Sequence, residues 1–366
     1  MASARDLSRV QNQVWHGSVP LEIRLAPAEC RTYTESDAYL IQVPRLSYLP
    51  FLLPRLHAFF APALIDPSIP PSAGWFSVDS VPLKWHHPLG LLYDLYAGAE
   101  PYNTLPPASP PPSSPTTSSS TQENDTSNNN DADADTSAPP HPLPWRLTLS
   151  YAPPPPSLLP LDPALKAMHD AFVNAVKEAD FLRNGSAKAA MSLSKADSDA
   201  LWAALQAHAR APFAAVNARL VNPPGVVLRH VPLKVYLPAA PAPATAADSS
   251  TTAGAQAQPS PSASVSAANA PRTLRVVQAP IPPRLAPPTS SSGSSNTPSS
   301  KHAPIQTLGT ALNGLLPSLF PSRRSALLAQ PVLHGAVVPM GAPLEELGRA
   351  AAYADGFLHI VVVMMG

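Results

Sequence analysis

The sequence predicts an α+β fold in which two small β-grasp units flank a helix-rich middle, with disordered Pro/Ser-rich insertions inside the units. Three observations predict it. Alternating apolar strands interleaved with short helices follow the same outline at both ends of the chain. Between them lies a stretch with helical periodicity and capping residues. Three further stretches are rich in Pro, Ser, Thr, Ala or Asn, and bury too little apolar surface to offset the entropy of ordering them.

The first unit covers residues 11–151, with an insertion at about 101–141. Leu21, Ile23 and Leu25 alternate with polar neighbours, as a half-buried strand does. Tyr39 to Val43 is a second strand. Phe51 to Phe60 is a helix whose start Pro54 is expected to delay. Phe76 to Val78 and Pro82 to Trp85 are short strands. Pro88 to Tyr96 is a helix with Pro88 in its first turn. Beyond the insertion, Trp145, Leu147, Leu149 and Tyr151 alternate as a closing strand.

The middle covers residues 160–221. Asp162-Pro163 forms an N-cap and first-turn pair. Leu165, Met168, Phe172, Val176 and Ala179 then draw one apolar stripe at spacings of three and four. Asn184-Gly185 marks the stop. Ser194 with Asp197 resembles a capping box opening a second helix through Leu201, Trp202 and Leu205. Pro212 ends or bends that helix, and Phe213 to Leu220 follow as a third.

The second unit covers residues 225–366, with insertions at about 239–271 and 287–303. Val226 to Leu237 and Thr273 to Ile281 are strands, and Ile305 to Leu316 a helix. Pro331 to Val338 is a strand, Pro343 to Ala352 a helix, and Phe357 to Met365 a closing strand. Strand order, not propensity at any one site, carries the β-grasp reading.

Composition narrows the functional classes. Lys+Arg and Asp+Glu number 24 each, so there is no basic excess to neutralise nucleic-acid phosphates. A local basic patch against an anionic membrane is still compatible with that balance. The single cysteine, Cys30, cannot form an internal disulfide, and no Cys/His spacing resembles a zinc site. Met1 to Val10 carry charges and no apolar core, so no secretory signal is expected there. The longest apolar run, Leu358 to Met365, contains His359 and is too short to span a bilayer. A reducing, cytoplasmic setting fits these features.

Several local stretches stand in a telling order: Val14-Trp15-His16-Gly17, Pro44-Arg45-Leu46-Ser47-Tyr48-Leu49, and Pro82-Leu83-Lys84-Trp85-His86-His87-Pro88 with Gly90-Leu91-Leu92-Tyr93-Asp94-Leu95. Leu143-Pro144-Trp145, Val176-Lys177-Glu178-Ala179-Asp180, Thr307-Leu308-Gly309, His334-Gly335 and Phe357-Leu358-His359-Ile360 follow. Together they resemble the autophagy protein 5 family across nearly the whole chain outside the insertions. The resemblance implies two ubiquitin-like domains around a helix-rich one. It implies covalent attachment of the ubiquitin-like autophagy protein 12 to a lysine, and binding of a helix of autophagy protein 16. Transient E2-like partners would be autophagy proteins 10 and 3. The assembled complex would act E3-like at the phagophore assembly site membrane, promoting transfer of autophagy protein 8 onto phosphatidylethanolamine. The family's acceptor lysine lies in a Lys-Glu-Ala-Asp context, which here is Lys177 to Asp180.

An isopeptide acceptor needs an exposed amine that loses its proton before attacking a thioester. An ordinary lysine has a pKa of about 10.4, so a charged carrier must supply a base or a desolvating surface. Lys177 lies about 100° round the helix from Val176, on the side of Asp170 and Asn174. Spacing alone does not separate it from Lys166, Lys188 and Lys195. Other candidates read as structural. His86 and His87, adjacent on one strand, would point to opposite faces and not share a metal. Trp85, Trp145 and Trp202 read as core aromatics, and Leu83, Leu91 and Leu95 are as compatible with core as with a partner groove. No phosphate loop, His-Glu-x-x-His or Gly-x-Ser-x-Gly is present, so no active site and no cofactor are expected. The competing readings are a non-covalent adaptor of the same fold and, further off, a cysteine hydrolase using Cys30.

Overall fold

Strand β1 (Ser18–Leu25) is the axis of the first unit, because Val19, Leu21, Ile23 and Leu25 all turn into the core. It pairs antiparallel with β2 (Tyr39–Pro44) and parallel with β5 (Trp145–Ser150). On the far side of β5 lie β3 (Trp75–Val78) and β4 (Val81–Pro82), giving the sheet order β2-β1-β5-β3-β4. Helix α2 (Leu53–Phe60) lays Leu53, Leu56 and Phe60 on this sheet. The second unit repeats the pattern. Strands β6 (Val231–Leu237), β7 (Arg275–Ile281), β8 (Ala329–Leu333), β9 (Ala336–Val337) and β10 (Leu358–Met364) form a sheet of order β7-β6-β10-β8-β9. In both, the two central strands are parallel and the rest antiparallel. This is the β-grasp arrangement, built twice.

In this computed structural model the described residues are 4–32, 36–98, 143–222, 228–237, 274–285 and 303–365. The three expected insertions lie outside them, apart from residue 303.

The chain opens on a helix, α1 (Ala4–His16), not expected from the sequence. Leu7, Val10, Val14 and Trp15 recur along it at helical spacing, and of these only Trp15 is fully buried. Helix α3 (Leu89–Tyr93) continues through a π turn to Gly98, and Pro88 precedes it as the N-cap residue instead of sitting in the first turn. Helix α2 starts at Leu53, later than Phe51, as Pro54 led one to expect. A 3-10 turn over Leu49–Leu52 leads in, and Pro54 takes the second helical position, where the missing N–H is not needed.

The middle holds α4 (Lys166–Asn184), the short α5 (Lys188–Met191), α6 (Lys195–Gln206) and α7 (Arg210–Val221). Asp162 is four residues ahead of α4, farther than an N-cap, because Pro163 and Ala164 form a turn. Its carboxylate still accepts from the Lys166 and Ala167 N–H groups, both at 2.8 Å. Gly185 ends α4 in the left-handed conformation at φ 74°, as expected. Ser194 Oγ accepts from Asp197 N at 3.0 Å and caps α6. Pro212 neither ends nor bends α6, which stops at Gln206; it sits in the first turn of α7.

In the second unit, α8 (Leu308–Leu315) and α9 (Leu344–Ala350) follow β7 and β9. Thr307 and Thr310 cap α8 reciprocally. Gly309 there is obligatory, because a Cβ would lie 2.0 Å from the Arg323 carbonyl oxygen. The expected single strand over Pro331 to Val338 is a hairpin, with His334-Gly335 as its turn.

Two cores result. One belongs to the first unit alone. The other runs unbroken from Met168, Phe172 and Phe213 of the middle to Val235 and Ile360 of the second unit, and takes in Trp15, Tyr48 and Leu91 of the first. A buried ion pair ties the units further. Arg45 pairs with Asp94, whose other oxygen accepts from Gly335 N at 2.9 Å. A Cβ at Gly90 would come within 2.7 Å of Arg45 Cβ, so a glycine is needed there.

Candidate functional site

Helix α4 distributes its side chains between three neighbours. Met168, Phe172, Val176, Ala179 and Arg183 are buried, drawing the stripe expected from the spacing. Arg183 reaches across to the second unit, donating to the Gly356 carbonyl at 2.6 Å. Burial lowers its pKa to about 10, which leaves it charged at neutral pH.

The two acidic residues that follow Lys177, Glu178 and Asp180, are both engaged. Glu178 accepts from Lys234 Nζ on β6 at 3.2 Å and from Gln278 Nε2 on β7 at 2.9 Å. Lys234 Nζ also stands 3.7 Å from the centre of the Phe357 ring. Asp180 is buried and accepts from Asn184 Nδ2 at 2.7 Å and from Ala190 N at 2.8 Å, fixing the turn into α5. Lys177 alone of Val176 to Asp180 points outward unengaged: it is exposed, and among the described residues no hydrogen bond or ion pair holds its ammonium. Asp170, Asn174 and Phe181 are exposed on the same side of the helix. Lys166, Lys188 and Lys195 are exposed too, so exposure by itself does not single out one lysine.

The aromatic candidates are structural. Trp85 and Trp145 are buried, and Trp85 Nε1 donates to the Leu159 carbonyl at 2.8 Å. Trp202 is half-buried against Phe51, Phe172 and His169. His86 and His87 lie in a turn, not on a strand, and their rings are 4.3 Å apart instead of on opposite faces. Among the described residues, no group of three or more His, Cys, Asp or Glu is placed to hold a metal. Cys30 is half-buried, with its thiol 3.6 Å from the Ala26 carbonyl.

A second feature was not legible in the sequence. Where α1, α7 and α9 converge, they border a trough of about 110 Å³. Val14 and Gln11 of the first unit, Phe213, Ala214 and Ala218 of the middle, and Arg349 of the second unit contribute to its walls. The small side chains of Ala214 and Ala218 keep α7 low on that side. Long-range packing creates the trough, so no local signal could have pointed to it.

Two β-grasp units locked around a helical middle define a scaffold of ubiquitin-like domains. Comparison with known proteins makes the family specific. Family models described as "Autophagy protein ATG5" match in three parts: the UblA domain over residues 14–151, the alpha-helical bundle region over 165–223 and the UblB domain over 230–362. Autophagy protein 5 of Phaeosphaeria nodorum is 50% identical over 369 residues, covering all of both chains. Autophagy protein 5 of Aspergillus fumigatus is 47% identical over 367 residues, covering 100% of this chain and 98% of the relative. The crystal structure of Kluyveromyces marxianus Atg5 has the same fold, with a TM-score of 0.60 at 20% identity, over 97% of this chain and 99% of that one. The chain belongs to the autophagy protein 5 family, and its role lies in autophagy. Among the described residues, no helix is long and apolar enough to cross a membrane.

Proposed function

We propose that this chain is a conjugation scaffold that receives the ubiquitin-like autophagy protein 12 on Lys177. The domains in this reading are 11–151, 160–221 and 225–366. The E2-like autophagy protein 10 delivers the modifier as a thioester. The Lys177 amine attacks its carbonyl carbon, a C–N bond forms, the C–S bond breaks, and the carrier's thiolate leaves. The chain presents the amine, and the carrier removes its proton. One observation carries this reading: within Val176 to Asp180 every polar side chain except that of Lys177 is committed to holding α4 against its neighbours.

The trough between α1, α7 and α9 suits one face of an amphipathic helix, such as that of autophagy protein 16. It is apolar along Val14 and Phe213, and Arg349, paired with Glu345 at 3.0 Å, contributes to its wall. The conjugate then works E3-like at the phagophore assembly site membrane, bringing autophagy protein 3 and phosphatidylethanolamine together for transfer of autophagy protein 8. The chain has no catalytic residue of its own in this scheme, and it meets the membrane peripherally from the cytoplasm.

The test is a denaturing gel of the chain from its own cells, wild type against Lys177→Arg. A heavier band present in wild type and lost in the variant is the expected result. A band that persists moves the attachment elsewhere. No heavier band in wild type favours a non-covalent adaptor.

A further inference from the structure

Phe181 is a large apolar residue left in water. Its side chain is 56% exposed, although α4 has a well-formed buried stripe on another side. It stands one turn beyond Lys177, and residues four apart on a helix are neighbours on its surface. Asp170, Asn174, Lys177 and Phe181 recur at spacings of four, three and four, and all four are exposed. Phe181 is the only large apolar side chain on that strip. The adjacent side of the helix is occupied, because Glu178 is tied to Lys234 and Gln278.

We infer that Phe181 is a docking residue for the carrier that modifies Lys177; this rests on the attachment proposed above. The argument is geometric. To react, the Lys177 nitrogen must come within about 3–3.5 Å of the thioester carbon. The face of the carrier around its reactive cysteine therefore covers the helix surface about one turn to either side of Lys177. On the C-terminal side that surface is Phe181. The occupant is the face of the carrier that surrounds its thioester. Burying the phenyl ring there draws the two proteins together and removes water from around the amine, which favours its neutral form. The isopeptide bond formed is the one already described, so Phe181 takes no part in bond making and is a positioning residue.

The experiment reconstitutes attachment with the full chain and the E2-like carrier charged with its ubiquitin-like protein. Initial rates are measured against carrier concentration for wild type, Phe181→Ala, Phe181→Leu and Lys177→Arg. The expected result for Phe181→Ala is a rise of about ten-fold in the half-saturating carrier concentration, the size of one well-buried aromatic contact. Its maximal rate stays within about two-fold. Phe181→Leu recovers most of the loss, and the melting temperature of each variant stays at the wild-type value. Wild-type kinetics for Phe181→Ala alongside no product for Lys177→Arg overturn the docking role and leave the acceptor intact. Product from Lys177→Arg, or none from wild type, overturns the acceptor reading and this inference with it.

Discussion

At the residue scale, the chemistry turns on which polar groups are engaged and which are left in water. His334 illustrates the engaged kind. It occupies the turn between β8 and β9 at φ 51°. Its Nε2–H donates to the Ala351 carbonyl at 2.9 Å, and its ring stacks on Tyr353 with centroids 4.1 Å apart. Burial, with the nearby Arg45 charge, holds its pKa down to about 3. The folded state therefore keeps this imidazole neutral, while the unfolded chain protonates it near pH 6.5. The stability it preserves is complete above pH 6.5 and is lost as pH falls from there toward 3. Between pH 7 and 5 the loss is at most about 2 kcal/mol. His334→Asn keeps a residue that tolerates the left-handed turn and removes the proton site. Thermal melts at the two pH values are expected to show a smaller acid-induced drop for this variant than for wild type. An equal drop would place the pH dependence in other groups. Lys177 is the opposite kind of residue, and its reading rests on what its neighbours do.

At the element scale, period-two and period-3.6 patterns identified most strands and helices. Leu21, Ile23 and Leu25 read as a half-buried strand, and the Met168–Phe172–Val176 stripe read as a packed helix; both are so. The misreadings have local causes. Helix α1 carries Leu7, Val10, Val14 and Trp15 at helical spacing, so it was legible and missed; of these only Trp15 is fully buried. The β8–β9 hairpin read as one strand because Val332 and Val337, which pair across it, look continuous in sequence. Pro212 read as a breaker although it suits the first turn of a new helix. Ser194 was legible because capping depends on one side chain and one backbone N–H three residues on. Ser194→Ala is expected to lower stability by about 1 kcal/mol, read from urea unfolding. A loss indistinguishable from zero would mean that the Asp197–Arg219 pair, at 2.8 Å, holds the start of α6 unaided.

At the scale of the whole molecule, the units behave as one body because a single core runs through the middle and second unit, and the Arg45–Asp94–Gly335 node fastens the first. That fastening makes the trough, since its walls come from all three parts. Lys177 is not among those walls, so helix binding and attachment are separable. Ala218→Trp is expected to fill the trough and weaken binding of an autophagy protein 16 helix peptide more than ten-fold by calorimetry, about 1.4 kcal/mol or more. Attachment at Lys177 should continue. If peptide binding is unchanged, the partner helix lies elsewhere.

The sequence by itself determined the α+β class, the succession of strands and helices in the first β-grasp unit, the apolar stripe of α4 and the place of Lys177 beside that stripe. These depend on periodicity and on residues close together in the chain. Tertiary structure alone decided that Glu178 and Asp180 are engaged while Lys177 is not, that Phe181 is left in water, and that α1, α7 and α9 enclose a trough. Periodicity says which face of an element is buried, but not what it is buried against. The partners of Glu178, Lys234 and Gln278, lie 56 and 100 residues away. Lys177 is one exposed lysine among four in sequence and in structure alike, and what the fold adds is that its neighbours Glu178 and Asp180 are held by residues far from it in the chain or across a turn.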